Sequence, residues 1–73
     1  MVEYVTRTFE CPDIRTQMDA EIIRETLANA SGIDDCQVDV PARSVTVRFV
    51  EALNDAALRG HLRDAGFPAE IED

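Results

Sequence analysis

The fold is decided by residues 36–49, which read Cys-Gln-Val-Asp-Val-Pro-Ala-Arg-Ser-Val-Thr-Val-Arg-Phe. Apolar and polar side chains alternate on both sides of the central Pro-Ala-Arg-Ser, and this period of two is typical of strands joined by a turn. The stretch therefore predicts a β-hairpin of residues 36–40 and 45–49. Its single apolar face needs a second layer to cover it.

Two segments outside the hairpin have the helical period that such a layer requires. The first runs from residue 16 to about residue 31, with Thr16 and Asp19 as a capping box at its start and Gly32 as its C-cap. Its predicted inward stripe comprises Met18, Ile22, Ile23, Leu27 and Ala30. The second begins after Asn54 and ends at Gly66. Its predicted inward residues are Leu58, Leu62 and Ala65.

The two ends of the chain supply the remaining strands. Residues 4–11 alternate between apolar and polar, except that Arg7 falls in the apolar row and is therefore placed at the sheet rim, where its charge reaches water. Residues 67–71 form a short last strand, whose Pro68 suits an edge position. The order βαββαβ predicts an α+β, ferredoxin-like two-layer sandwich, with an antiparallel sheet and both helices on one face. All 73 residues belong to this single domain.

The charge of the chain restricts its partners. The 73 residues carry a formal net charge of −8, and all seven basic residues are arginine. The negative electrostatic field of such a charge repels phosphate backbones and anionic lipid heads. This argues against a nucleic-acid partner and against membrane insertion. A lysine-free acidic surface suits a halophilic source, because concentrated salt screens self-repulsion. The N-terminus has no signal-like pattern, so a cytoplasmic location with free thiols at Cys11 and Cys36 is expected.

A family resemblance rests on two segments. Residues 32–47, Gly-Ile-Asp-Asp-Cys-Gln-Val-Asp-Val-Pro-Ala-Arg-Ser-Val-Thr-Val, resemble the G-V-x-x-V-x-V-D-x-x-x-x-x-V-T-V segment of heavy-metal-associated (HMA) domains. Residues 62–69, Leu-Arg-Asp-Ala-Gly-Phe-Pro-Ala, resemble the I-x-x-A-G-Y-x-A ending of the same family. These domains are modules of copper chaperones and of metal-pumping ATPase tails. The resemblance implies the ferredoxin-like fold and a protein partner such as a metal transporter.

The metal motif of that family departs from its pattern here. HMA domains bind soft metal through G-M-T-C-x-x-C between the first strand and the first helix, and the two cysteine slots fall on Thr16 and Asp19. A hydroxyl and a carboxylate are hard ligands, whereas Cu(I) prefers thiolate or thioether sulfur. The residues themselves therefore indicate a degenerate metal loop in which Thr16 and Asp19 cap the helix.

Two sulfur-bearing residues near this loop have alternative interpretations. Cys11 and Met18 form a candidate ligand pair for Cu(I) or another soft metal ion. Alternatively, Cys11 is a buried apolar thiol at the end of the first strand and Met18 belongs to the core. Cys36 is expected in the core, and His61 has no second ligand at metal spacing.

No motif supports catalysis, and two functions from different classes remain. The first is a non-enzymatic protein-interaction or regulatory module that docks through the acidic first helix, at Asp19, Glu21 and Glu25. The alternative is an atypical soft-metal binding protein or metallochaperone that uses Cys11 and Met18. The chain is expected to be a monomer or a weak homodimer, and no cofactor is required by the first function.

Overall fold

A computed structural model describes residues 2–72, with the backbone alone for residues 70–72. The elements, in chain order, are β1 (Tyr4–Glu10), α1 (Gln17–Ala28), β2 (Ile33–Asp39), β3 (Ser44–Val50), α2 (Asp55–Asp64) and β4 (Glu70–Glu72). The four strands form one antiparallel sheet in the order β2-β3-β1-β4. The predicted ferredoxin-like βαββαβ sandwich is confirmed.

The core lies between one face of the sheet and the two helices. Phe9 on β1 is opposite Val45 on β3, and Val5 is opposite Phe49, so the apolar rows of both strands lie on the same face. The residues with at most 2% exposure are Phe9, Cys11, Ile14, Ala20, Ile23, Leu27, Val45, Val47, Phe49, Leu58 and Leu62. Arg7 is exposed, as predicted, but it lies in the middle of β1, opposite Val47, and not at the sheet rim. Its Nε lies 3.7 Å from a carboxylate oxygen of Asp55 on α2.

Both helices begin at the residues that the sequence predicts. Thr16 is the N-cap of α1, and Asn54 is the N-cap of α2 through its side-chain oxygen, which accepts the N–H of Ala57 at 2.9 Å. Leu53 and Leu58, which flank this cap, both pack in the core cluster and anchor the start of α2.

The predicted inward stripe of α1 is correct for Ile23 and Leu27 and wrong for Met18 and Ile22, and the predicted end of the helix is wrong. The helix ends at Ala28 with Asn29 as its C-cap, and Gly32 lies beyond it with φ +88°. Its buried residues are Ala20, Ile23 and Leu27, whereas Met18 is 68% exposed and Ile22 is 41% exposed. Successive helical residues are about 100° apart, so a face centred between Ile23 and Leu27 turns Met18 and Ile22 toward solvent. The adjacent pair Ile22-Ile23 leaves this phase ambiguous in the sequence.

Several strand limits also differ from those predicted. β1 ends at Glu10 rather than Cys11, because Pro12 has no N–H with which to continue the ladder. β2 begins at Ile33, three residues earlier than predicted, and a register shift between Ile33 and Asp35 marks its start. β4 begins at Glu70, so Pro68 precedes the last strand instead of lying within it.

The end of α2 is a Schellman motif around Gly66. The N–H of Gly66 donates to the carbonyl of Arg63 at 3.0 Å, and the N–H of Phe67 donates to the carbonyl of Leu62 at 2.9 Å. Gly66 has φ +96°, a backbone conformation that residues with a Cβ rarely adopt. Phe67 and Leu62 are both buried, so this turn also directs the chain back into the core.

Substituting the two glycines of this region is expected to have opposite effects on stability. Gly60→Ala should stabilise the fold by about 0.5–1 kcal/mol, because Gly60 lies within α2 and an added Cβ meets nothing within 4 Å. Gly66→Ala should destabilise it by about 1–2 kcal/mol, the cost of a left-handed alanine. Urea unfolding of both variants measures the difference. Equal effects would contradict the assigned end of α2.

No helix in the described part of the chain is both long enough and apolar enough to cross a membrane.

Candidate functional site

The segment between β1 and α1 turns back into the core. The N–H of Cys11 donates to the carbonyl of Arg43 in the β2–β3 turn at 2.8 Å, and the N–H of Ile14 donates to the carbonyl of Cys11 at 3.0 Å. Ile14 is fully buried although Arg15 and Asp13 beside it are exposed. The segment is therefore anchored by two fully buried side chains, Cys11 and Ile14. Sequence reasoning missed Ile14, whose only signal is a large apolar residue in an otherwise polar loop.

The two cysteine slots of the HMA pattern are occupied by a complete capping box. The Thr16 hydroxyl accepts the N–H of Asp19 at 3.2 Å. The Asp19 carboxylate accepts the N–H of Thr16 at 3.1 Å and the N–H of Arg15 at 2.9 Å. Both side chains thus satisfy backbone donors at the start of α1. This oxygen pair does not fit a soft metal ion, and the predicted cap is confirmed.

The sulfur atoms of the candidate ligand pair have different surroundings. Cys11 is fully buried, and Met18 is 68% exposed at the start of α1. Burial, and secondly the charge of Asp13, raise the pKa of the Cys11 thiol to about 11. The core interpretation of Cys11 is confirmed, and that of Met18 is wrong. The Cys11–Met18 metal pair stays a prediction, and it requires the thiol to leave the core.

The second thiol lies on β2, away from this loop. Cys36 is half-buried against the core, and burial, followed by the charge of Asp35, raises its pKa to about 11, partly offset by Arg24. Both cysteines are free, as predicted. Among the side chains that the structure describes, those of residues 2–69, no group of three or more histidine, cysteine, aspartate or glutamate residues is arranged to hold a metal ion. His61 is half-buried on α2.

The raised thiol pKa values predict a loss of stability in alkaline solution. A thiol whose pKa is higher in the folded state contributes its full stability below about pH 9, and that contribution is lost as pH rises toward 11. For the buried Cys11 the loss is on the order of 2 kcal/mol. Urea unfolding at pH 7, 9 and 11 should therefore show a smaller alkaline loss for Cys11→Val than for the natural chain. Parallel losses in the two proteins would contradict the buried-thiol assignment.

The outer side of α1 combines apolar and acidic side chains. We define the α1 outer face as Met18, Glu21, Ile22 and Glu25, which are all exposed and lie within about two turns of one another. Met18 and Ile22 are two of the four exposed large hydrophobic residues among those described. Asp19 belongs to the capping box instead, so the acidic docking surface predicted from the sequence keeps Glu21 and Glu25 and gains the two apolar side chains.

Solved structures with the same fold include metal-binding domains. The chain is similar to oxidized MerP from Ralstonia metallidurans CH34 (TM-score 0.91, 19% identity, 97% of this chain and 100% of that chain). It is also similar to a copper binding domain from HMA7, a P-type ATPase (0.89, 19%, 100% and 96%), and to a chain of the Atx1–Cu(I)–Ccc2a complex (0.84, 15%, 93% and 94%). At these identities the likeness establishes the fold.

No protein-family model matches the sequence, and no curated protein matches it.

Proposed function

We propose that this chain is a non-enzymatic protein-interaction or regulatory module that keeps the fold of HMA domains while its metal loop is degenerate. The observation that carries the proposal is the capping box, because the side chains in both cysteine slots are engaged with backbone N–H groups. A loop used in this way stabilises α1 and offers no thiolate to a metal ion. The remaining function is recognition of another protein.

The α1 outer face is the proposed docking surface, and its occupant is a basic surface of a partner protein with an apolar centre. Met18 and Ile22 provide the apolar contact, and Glu21 and Glu25 provide the charge. The net charge of −8 adds long-range attraction for a basic partner. The likeness to a copper binding domain of a P-type ATPase makes metal transporters the first partner class to test.

The test begins with capture of partners by the tagged chain and is decided by a binding measurement with a purified partner. Met18→Ser/Ile22→Ser should weaken that binding about tenfold or more, the loss expected when central apolar contacts are truncated. Val2→Ser, at a residue that is 62% exposed elsewhere, is the matched control. Glu21→Gln/Glu25→Gln should lower the association rate and its salt dependence. A partner that binds Met18→Ser/Ile22→Ser and Glu21→Gln/Glu25→Gln as tightly as the natural chain would contradict the proposed surface.

The alternative function is soft-metal binding through Cys11 and Met18. It is supported by the position of the two residues on either side of the degenerate loop, and by the Cu(I) complex formed with a chain of this fold. A thiolate is the form that binds Cu(I), so burial of Cys11 opposes it. This function therefore requires the 11–16 loop to open when the metal binds.

We further propose that the protein works as a monomer or weak homodimer in the cytoplasm of a halophilic cell. Raising the salt concentration from about 0.1 M to about 1 M shortens the screening length from about 10 Å to about 3 Å. Because the net charge is −8, the melting temperature should rise over this range. Differential scanning calorimetry measures it. A melting temperature that is constant or falling would contradict a surface adapted to salt.

A further inference from the structure

β2 lies at one edge of the sheet. In the described part of the chain its one sheet neighbour is β3, and it extends over seven residues, as many as β3 itself. The backbone groups on the outer side of an edge strand are free to pair with an added strand. Addition of an extended segment to such an edge is a common mode of peptide recognition.

A groove runs beside this edge, between the second half of α1 and the first half of β2. Its volume is about 340 Å³, and its lining is half apolar, with Ala28, Ile33 and Cys36, and half charged, with Arg24, Asp34 and Asp35. Ala28 is small, Ile33 is aliphatic, and Cys36 packs against the core. The groove therefore has space for an aliphatic side chain of an added strand against these three residues, with the charged side chains of Arg24, Asp34 and Asp35 beside it.

The two sides of β2 differ in charge. Cys36 and Val38 are opposite the buried Val47 and Val45 and so point toward the helices. Asp35, Gln37 and Asp39 alternate with these two residues along β2, so their polar side chains point to the open face of the sheet. An added strand would meet the partly apolar groove on one side and the carboxylates of Asp35 and Asp39 on the other. Arg48 on β3 is opposite Asp35, and one oxygen of Asp39 accepts the N–H of Ala42, which leaves its second oxygen for a basic side chain.

A second copy of this chain does not fit the edge. Each β2 carries Asp34, Asp35 and Asp39, so pairing two copies would bring six carboxylates together, and like charges across strands are destabilising. The register shift near Asp34 also disfavours pairing of two copies, because such irregularities interrupt the regular ladder at a sheet edge. Basic side chains on an added strand would instead be attracted to the same carboxylates.

We propose that the β2 edge binds an extended segment of another protein in which apolar and basic residues alternate. The apolar residues enter the groove between α1 and β2, and the arginine or lysine residues lie on the open face beside Asp35 and Asp39. This surface uses none of the four residues of the α1 outer face, although Ala28 lies one helical turn beyond Glu25.

The test uses a seven-residue probe peptide of alternating arginine and valine, and the full chain labelled for NMR. The expected result is that the peptide slows hydrogen exchange of β2 amides about tenfold or more, while a peptide of the same composition with its arginines and valines in two blocks does not. Ala28→Arg should abolish most of this protection by filling the groove. Ala52→Arg, which makes the same charge change at an exposed turn residue, should leave it intact.

Three results would overturn the proposal. The first is equal protection by both peptides, since charge alone would then explain binding. The second is the absence of β2 protection with the alternating peptide when the fold is intact by circular dichroism. The third is protection of β2 without any peptide, together with a dimer in sedimentation, which would assign the edge to a second copy. Substitution of Met18 and Ile22 tests the α1 outer face and should not change the peptide result.

Discussion

Thr16→Cys/Asp19→Cys is expected to convert this chain into one that binds about one Cu(I) ion and competes for it with a chromophoric chelator. Each side chain already reaches the backbone of the other residue at the start of α1, where the Thr16 hydroxyl lies 3.2 Å from the backbone nitrogen of Asp19 and the Asp19 carboxylate lies 3.1 Å from that of Thr16. Two thiolates at these positions would provide the soft ligands that the natural pair lacks. The substitution also removes the capping box, which should cost about 1–2 kcal/mol of stability.

The control for this variant is Thr16→Ala/Asp19→Ala, which loses the same cap without gaining thiolates. It should show the stability loss and no Cu(I) binding. The measurement is anaerobic titration of the reduced proteins, accompanied by urea unfolding to confirm that each is folded. A folded double-cysteine variant that binds Cu(I) no better than the double-alanine control would show that these two positions are not the metal slots.

Ile14→Ala is expected to destabilise the protein by about 2–5 kcal/mol, because it empties a fully buried position in the core. In a domain of this size that corresponds to a fall in melting temperature of roughly 10 °C or more. Met18→Ala, only four residues away but 68% exposed, should change stability by no more than about 0.5 kcal/mol. The helical pattern of the sequence places Met18 in the core and assigns no role to Ile14, so only the structure predicts this order.

Thermal and urea unfolding of both variants compare the two positions directly. Arg15→Ala, at the exposed residue next to Ile14, is a second control and should also have a small effect. If Ile14→Ala were as mild as Met18→Ala, the 11–16 loop would not be anchored in the core. A mobile loop could then release Cys11, and the soft-metal alternative would gain support.

Local signals in the sequence were sufficient for the fold. The alternation in residues 36–49 predicted the hairpin, because a strand with one buried face repeats every two residues. The Thr16–Asp19 pair and Asn54 predicted both helix starts, because their side chains satisfy backbone donors that the helix leaves free. These features depend on residues a few positions apart, so a single sequence contains them.

Features that depend on tertiary packing were harder to predict. The phase of α1 was ambiguous because Ile22 and Ile23 are adjacent, and only the packed structure selects Ile23 together with Ala20 for the core. The burial of Ile14 depends on how a loop without periodicity turns inward. The groove between Arg24 on α1 and Cys36 on β2 combines segments that are distant in the chain. None of these has a local sequence signal.

The buried core and the two cysteine slots of the HMA pattern involve different residues of this protein. Core residues such as Phe9, Val47 and Leu62 determine the βαββαβ arrangement. Thr16 and Asp19, which fall in these slots, lie at the N-terminal end of α1. Neither residue belongs to the buried core. The fold that this chain shares with metal-binding domains therefore does not by itself establish a metal site, since function resides in the site and not in the fold.

The most direct test of this account is anaerobic titration of the natural, reduced chain with Cu(I) against a chromophoric chelator, in high salt and alongside Cys11→Ala. We predict that neither protein competes with the chelator, because Thr16 and Asp19, in the two cysteine slots of the HMA pattern, offer oxygen and not sulfur, and because the Cys11 thiol is buried. Stoichiometric binding by the natural chain that Cys11→Ala abolishes would contradict the account and establish a metal carrier with a displaced ligand set.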